Sequence, residues 1–285
     1  MSSVAELLTV TGRQLADCGI PEPRREAASL LCAALVKERS FLYAHPEYIP
    51  SPDELARFQQ MVERRASHEP FHYIAGTKEF YGLEFEVSPA VLIPRPETEL
   101  LVELGIRALA DARVPEFCEV GVGSGCISIA LLVNVHKAKA VGLEISDDAI
   151  AVAKRNAAKL AVGRRFDIRG SDVFSALDDG EKFDLLVSNP PYIPASDIPG
   201  LDADVREFEP HLALTDGGDG LSIIRRLVGD APCYLKPRGR LMFEIGMGQA
   251  GDVIAVFDQS IWAEVQAYND FQGIARVIHA RLRDR

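Results

Sequence analysis

The feature that most constrains the fold is the alternation of short apolar runs with helical stretches after residue 115. The runs "EFCEV" at 116–120 and "KAVGLEI" at 139–145 have the length and composition of buried strands, whereas "DDAIAVAKRNAAKL" at 147–160 repeats apolar residues at helical spacing. Parallel strands need a long crossover between them, and a helix usually provides it. The alternation therefore predicts an α/β fold with a doubly wound, Rossmann-like parallel sheet.

The last third of the chain completes this sheet. The segment "GRLMFEIG" at 239–246 reads as one more strand, and "WAEVQAYND" at 262–270 with "GIARVIHARL" at 273–282 reads as a terminal antiparallel hairpin. Together with 116–120, 139–145 and the runs "RFDIRGSD" and "FDLLVSNP", these segments predict seven strands.

The sequence before residue 95 differs and predicts two further parts. Residues 1–70 read as a small all-helical domain, in which Ser51 and Glu54 form a capping box around Pro52 at the first helical position. Residues 71–94 alternate aromatic and β-branched residues around "YG" and predict a β-hairpin linker. The α/β domain then spans 95–285.

Composition excludes several classes of function. Acidic residues outnumber basic ones, 42 to 31, and the net charge of −11 disfavours direct binding of nucleic acid, which needs clustered cations. The five cysteines are an odd number without C-x-x-C spacing, so we expect neither disulfides nor a metal site. The N-terminus lacks a basic start followed by an apolar block. We therefore expect a cytoplasmic protein that does not associate with membranes. We also expect a monomer, although none of these features determines the oligomeric state.

A glycine loop follows the first strand of the α/β region. In "EVGVGSGC", Gly121, Gly123 and Gly125 alternate with Val122 and Ser124, just before a helix. Glycines at such a turn let the backbone approach a ligand, and the helix N-terminus offers free N–H groups. Both the third glycine position of the dinucleotide fingerprint and the lysine of a phosphate-binding loop are absent. A purely structural turn is the alternative interpretation.

Two acidic residues end the next two strands and narrow the choice of cofactor. Glu144 ends "AVGLE", where a carboxylate can accept both hydroxyls of a ribose, and Asp172 ends "IRGSD", where it can accept from an exocyclic amine. A glycine loop, an acidic residue placed to bind a ribose and an acidic residue placed to bind an adenine together indicate a nucleoside ligand without phosphates. S-adenosylmethionine is the common cofactor of this kind. Taken singly, either acid could instead be a helix cap or a solvated strand end.

The stretch "LLVSNPPYIP" at 185–194 predicts the reaction. Asn189 offers a side-chain carbonyl, and Pro191 cannot donate to the backbone carbonyl of Pro190. Two acceptors can hold both hydrogens of an NH2 group and aim its nitrogen at an electrophilic methyl, while Tyr192 packs on the planar group. No Lys, His or Cys base is obvious nearby, and the nearest titratable candidates, Glu97, Glu99 and His211, are more often structural. We infer catalysis by positioning, with the proton lost to water.

These residues resemble a known family. "GTKEFYGLEFEVSPAVLIPRPETELLVE", "GVGSG", "SNPPYIP", "VREFEPHLAL" and "GGDGL" are similar to segments of the protein glutamine N5-methyltransferases of the HemK/PrmC type, which modify peptide chain release factors. The resemblance spans nearly the whole chain. It implies a class I methyltransferase fold, S-adenosyl-L-methionine as the methyl donor with S-adenosyl-L-homocysteine as product, and a release factor as the protein substrate, docked with help from the helical domain.

The resemblance also implies roles for individual residues. The three loop glycines would wrap the methionine part of the cofactor, and Glu144 would bind the ribose. Asp172 and Val173 would border the adenine. Asn189 and Pro190 would hold the amide of the glutamine in the release-factor GGQ motif, and Pro191 and Tyr192 would shape its slot. Glu144 stands where the family usually has Asp, and Val173 where it often has an aromatic residue.

Three alternatives stay open at this stage. Methylation of an adenine or guanine amino group would use the same two acceptors on a flipped base. A glutamine of a ribosomal protein is a second possible acceptor. A non-catalytic nucleoside-binding or assembly factor, with the helical domain as interaction module, is the third.

Overall fold

The computed structural model describes residues 2–110 and 112–284, which form two compact units. The first comprises residues up to Thr77 together with Asp202–Phe208. The second comprises Lys78–Leu201 and the chain from Glu209 onward. The stretch predicted as a linker, 71–94, is thus divided at residue 77 between the two units.

The α-helices, in chain order, are α1 (Val4–Asp17), α2 (Pro23–Leu35), α3 (Arg39–Ala44), α4 (Pro52–Ala66), α5 (Phe71–Ala75), α6 (Glu99–Leu109), α7 (Cys126–Asn134), α8 (Asp147–Lys159), α9 (Ala203–Phe208), α10 (His211–Leu214), α11 (Ser222–Asp230) and α12 (Ala250–Ala255). The strands are β1 (Thr77–Phe80), β2 (Leu83–Glu86), β3 (Glu116–Val120), β4 (Lys139–Glu144), β5 (Phe166–Gly170), β6 (Phe183–Ser188), β7 (Leu235–Glu244), β8 (Trp262–Asn269) and β9 (Ala275–Leu282).

The first unit is helical, as predicted. The apolar faces of α1, α2 and α4 enclose its core, with Leu15, Leu30 and Phe58 almost fully buried. The predicted capping box is confirmed at the start of α4, where the Glu54 N–H donates to Ser51 Oγ at 3.3 Å and the Ser51 N–H donates to the Glu54 carboxylate at 2.7 Å. Such a box satisfies two N–H groups that have no partner within the helix.

The second unit contains a seven-stranded sheet in the order β5-β4-β3-β6-β7-β9-β8. The strands β5, β4, β3, β6 and β7 run parallel, and β9 pairs antiparallel with both β7 and β8. The two-stranded sheet β1-β2 is separate. This arrangement confirms the predicted fold class, because the seven strands, the terminal antiparallel hairpin and the short hairpin at residues 77–86 are all present.

The strand order positions the functional residues. The chain runs outward from β3 through β4 to β5 and then returns to β6 on the other side of β3. In such sheets ligands bind beyond the carboxyl ends of the strands, where the order reverses. The residues that follow β3, β4, β5 and β6 therefore converge at one edge.

Candidate active site

A cavity of about 500 Å³ lies at this edge of the sheet. Its volume is in the range of small-molecule and cofactor sites. Nine of the twelve residues predicted for the site line it: Gly121, Val122, Gly123, Ser124, Glu144, Asp172, Val173, Asn189 and Pro191. Gly125, Pro190 and Tyr192 are adjacent in sequence but do not line it.

The glycine loop leads from β3 into α7 through three residues with positive φ. Gly121, Gly123 and Gly125 have φ of 75°, 54° and 82°, a region that other residues rarely adopt. A Cβ on Gly125 would lie 2.9 Å from Ile129 Cδ1, so this glycine also allows α7 to begin close to the loop. The loop is therefore constrained by both backbone conformation and packing.

Glu144 supports the loop from the end of β4. Its Oε2 accepts from the Gly123 N–H at 2.8 Å, and its Oε1 accepts from the N–H groups of Ile145 and Ser146 at 2.9 and 3.0 Å. A carboxylate has about four lone-pair positions, so the three bonds leave room on Oε2 for one hydroxyl. A second ribose hydroxyl would have to replace one of the backbone donors.

Asp172 and Val173 follow β5 on the same side of the cavity. The Asp172 carboxylate accepts from Arg226 Nη1 at 2.8 Å through Oδ1, which leaves Oδ2 for another donor. Val173 is buried and has φ of 52°, a strained conformation for a β-branched residue. Ser171 Oγ donates to the Val173 carbonyl at 2.8 Å and holds this turn.

The segment after β6 is fixed by several hydrogen bonds. Asn189 is half-buried and donates through Nδ2 to Thr98 Oγ1 at 3.3 Å. The Tyr192 carbonyl accepts from Gln249 Nε2 at 2.8 Å, and the Tyr192 hydroxyl donates to Glu244 Oε1 at 3.1 Å. The Tyr192 ring thus points to Glu244 at the end of β7, not into the cavity.

Glu244 is a buried carboxylate that the sequence did not reveal as part of the site. Only 1% of it is exposed, and the Thr98 hydroxyl donates to its Oε2 at 2.6 Å. Burial raises its pKa, while the hydroxyls of Thr98 and Tyr192 act in the opposite direction. The signal in the sequence is a charged residue at the end of the otherwise apolar run "LMFEI".

A second buried acid, Glu119, lines the cavity beneath the glycine loop. It is fully buried in β3, and its Oε2 accepts from the Ser128 N–H at 3.0 Å. Its Oε1 has no hydrogen-bond partner among the residues that the structure describes. Burial raises its pKa to about 8. An unpartnered buried oxygen on the cavity wall fits a ligand with a cationic or hydrogen-bonding group, such as the α-ammonium of S-adenosylmethionine.

The segment after α9 also contributes to the lining of the cavity, through residues that include His211 and Leu212. Glu209 accepts from the Ile93 N–H at 3.2 Å and from Arg95, which itself lines the cavity. Leu212 and Ile145 also line it, yet they remain 71% and 61% exposed. Large exposed apolar side chains at the rim of a cavity are typical of a surface that receives another molecule.

The three candidate bases lie in different surroundings. His211 is exposed and lines the cavity. Glu99 Oε1 accepts from the Tyr81 N–H at 2.8 Å, and neither Glu97 nor Glu99 lines the cavity. Within residues 2–110 and 112–284 there is no group of three or more metal-ligating side chains.

Two family models match the chain. The model "PrmC N-terminal domain" matches residues 6–76, and the model "Methyltransferase small domain" matches residues 98–199.

In the part of the chain that the structure describes, no helix is both long and apolar enough to cross a membrane.

Curated relatives match almost end to end. A release factor glutamine methyltransferase of Geobacter sulfurreducens is 43% identical over 98% of this chain and 97% of its own. One of Koribacter versatilis is 40% identical over 92% of each chain. Among solved structures, a methyltransferase from Pyrococcus furiosus has a TM-score of 0.54 at 15% identity, covering 82% of this chain and all of the other, a likeness that concerns the fold.

Proposed function

Because the chain belongs to the family of release factor glutamine methyltransferases, we propose that it transfers a methyl group from S-adenosylmethionine to a glutamine side chain of a peptide chain release factor. The acceptor would be the N5 amide nitrogen of the glutamine in the GGQ motif. The observation that carries this proposal is that the Asn189 carboxamide lines the same cavity as the glycine loop.

The proposed cofactor site uses the walls around the loop. The backbone of residues 121–125 would hold the methionine part, and the unpartnered Glu119 Oε1 would accept from its ammonium group. Glu144 would accept from a ribose hydroxyl through Oε2. Asp172 and Val173 would border the adenine, with Oδ2 of Asp172 available to its amino group.

The proposed acceptor site is one strand further along the sheet. A Cβ on Gly121 would lie 3.9 Å from the backbone oxygen of Asn189, so the glycine loop and the end of β6 are neighbours. Asn189 Oδ1 and the Pro190 carbonyl would accept the two N–H groups of the glutamine amide. Pro191 would form the wall of the slot, and Tyr192 would fix the strand end through its bond to Glu244.

The chemistry needs orientation more than a base. When bound, S-adenosylmethionine supplies a methyl group on a sulfonium, and transfer forms the N–C bond, breaks the S–C bond and leaves S-adenosylhomocysteine. An amide nitrogen is a weak nucleophile, and acceptors that hold both of its hydrogens raise its electron density and aim its lone pair. After transfer the nitrogen returns to neutrality by losing one proton to water.

The helical unit, the oligomeric state and the location complete the proposal. We propose that residues 1–70 help to dock the release factor, and that the enzyme acts as a monomer in the cytoplasm, where release factors function. The net charge of −11 supports a protein over a nucleic acid as acceptor, because phosphate binding requires clustered cations.

Asn189 provides the sharpest test of the mechanism. We expect Asn189→Ala to lower turnover of a release factor at least 100-fold, because one of two acceptors is lost, while the Kd for S-adenosylmethionine changes less than about threefold. Turnover is measured by methyl incorporation and the Kd by calorimetry. An equally large loss of cofactor binding would mean that Asn189 acts on the cofactor and not on the substrate amide.

A further inference from the structure

The segment "IPRPETE" at 93–99 has no role in the mechanism so far, although it contacts the end of β6 directly. Thr98, in a short 3-10 helix just before α6, is 2% exposed. Its hydroxyl lies between two other side chains, donating to Glu244 Oε2 at 2.6 Å and accepting from Asn189 Nδ2 at 3.3 Å. These contacts join residues 146 and 91 positions apart in the sequence.

The sheet itself brings Glu244 to this position. Strands β6 and β7 are parallel, with Ser188 opposite Phe243, so the next residues, Asn189 just after β6 and Glu244 at the end of β7, lie side by side at the carboxyl edge of the sheet. Thr98 fills the space between them. The three residues therefore form a chain of hydrogen bonds from a buried carboxylate to the cavity wall.

The direction of this chain follows from its first member. The Thr98 hydroxyl donates its single proton to Glu244 Oε2. The Thr98 oxygen then presents only lone pairs to Asn189. Only the NH2 end of the Asn189 carboxamide can lie against it, which leaves Oδ1 on the other side.

We propose that Thr98 and Glu244 are positioning residues that fix the Asn189 carboxamide with its oxygen towards the acceptor nitrogen. This inference rests on the proposed function. Without these hydrogen bonds, the Asn189 carboxamide can turn by 180° and present its N–H donors to the N–H groups of the substrate amide. Donors then face donors, which disfavours binding of the glutamine side chain. The hydrogen bonds of Thr98 and Glu244 thus favour a substrate group that carries N–H donors over one that offers only hydrogen-bond acceptors.

The composition of the network supports a role beyond stability. Among the described residues, no Lys, Arg or His nitrogen lies within 4.0 Å of the Glu244 carboxylate, whose partners are the hydroxyls of Thr98 and Tyr192. A buried carboxylate without a direct ion-pair partner is costly for folding, although the more distant Arg276 favours its charged form. A hydrophobic residue would fill the position at lower cost, but it would not orient a hydroxyl.

The test compares Thr98→Val with Thr98→Ser. Valine keeps the volume and removes the hydroxyl, so we expect kcat for methylation of a purified release factor to fall about 10- to 100-fold with little change in the Kd for S-adenosylmethionine. Serine keeps the hydroxyl and should restore kcat to within about threefold of the unmodified enzyme. Tyr268→Phe, which removes a hydroxyl in β8 away from the cavity lining, is the control and should leave kcat unchanged.

The outcomes separate this inference from the proposed function. If the unmodified enzyme methylates the glutamine and Thr98→Val matches it in kcat, Thr98 does not orient Asn189 and the inference is wrong while the function stands. Loss of cofactor binding in parallel with kcat, or failure of serine to restore kcat, would also overturn it. If the unmodified enzyme does not methylate glutamine, both proposals fail. Thr98→Ala replaces valine if the valine variant does not fold.

Discussion

The raised pKa of Glu119 predicts how the stability of the second unit depends on pH. The carboxyl is fully buried, and its pKa is about 8 against an ordinary value of 4.5. Between these values the folded chain holds a proton that the unfolded chain has released. The contribution of Glu119 to the free energy of unfolding is therefore fully present below about pH 4.5 and is lost as pH rises through about 8.

The magnitude follows from the size of the shift. Each pKa unit corresponds to about 1.4 kcal/mol, so the free energy of unfolding should fall by about 1.4 kcal/mol per pH unit between about pH 5 and 7.5 because of this group. The full shift from 4.5 to about 8 amounts to about 5 kcal/mol. Glu119→Gln cannot ionise but can still accept from the Ser128 N–H. The variant should lack this slope.

The assay is urea unfolding followed by the fluorescence of Trp262, the single tryptophan, which is buried in the second unit. The slope difference between the unmodified chain and Glu119→Gln removes the contribution of every other titrating group. Glu181→Gln is the control, because the pKa of Glu181 is lowered by Arg169 and its titration lies below this window. Parallel curves for Glu119→Gln and the unmodified chain from pH 5 to 7.5 would refute the reasoning.

Two further variants test the loops around the cavity. Gly125→Ala should lower the free energy of unfolding by about 1–3 kcal/mol and weaken cofactor binding, because φ is 82° and the new Cβ would lie 2.9 Å from Ile129 Cδ1; urea unfolding and calorimetry measure both effects. Asp216 is partly buried, which raises its pKa, but N–H donors within residues 218–222 hold the pKa at about 2. Asp216→Asn should remove a contribution to the free energy of unfolding of no more than about 2 kcal/mol, which is present above about pH 4 and lost as pH falls to about 2. The free energy of unfolding of the variant should therefore change less with pH in this range. An unchanged free energy of unfolding for the glycine variant would contradict the first expectation. Acid-unfolding curves that coincide for Asp216→Asn and the unmodified chain would contradict the second.

Much of the second unit was predictable because its signals are local. The alternation of strands and helices, the glycines before α7 and the acids at the ends of β4 and β5 all lie in short, continuous stretches of sequence. Parallel strands share one carboxyl edge, so their terminal residues meet without any further information. The fold class and the resemblance to the methyltransferase family are confirmed, while the roles of individual site residues stay predictions.

The remaining features depend on distant partners. Glu244 and Thr98 meet across 146 positions, and Asp172 pairs with Arg226 across 54, so no local pattern could reveal either contact. The burial of Glu119 depends on how the helices cover β3. The assignment of Asp202–Phe208 to the first unit likewise follows from packing, including an ion pair of 4.0 Å between Arg65 and Asp204.

The measurement that tests the central claim most directly is transfer of radiolabelled methyl from S-adenosylmethionine to a purified release factor. The same factor with its GGQ glutamine changed to alanine, a ribosomal-protein fraction and a structured RNA are assayed beside it. We predict label on the unmodified factor and none on the alanine variant or the RNA. Label on the RNA or on a ribosomal protein, with none on the release factor, would contradict the assignment of the acceptor.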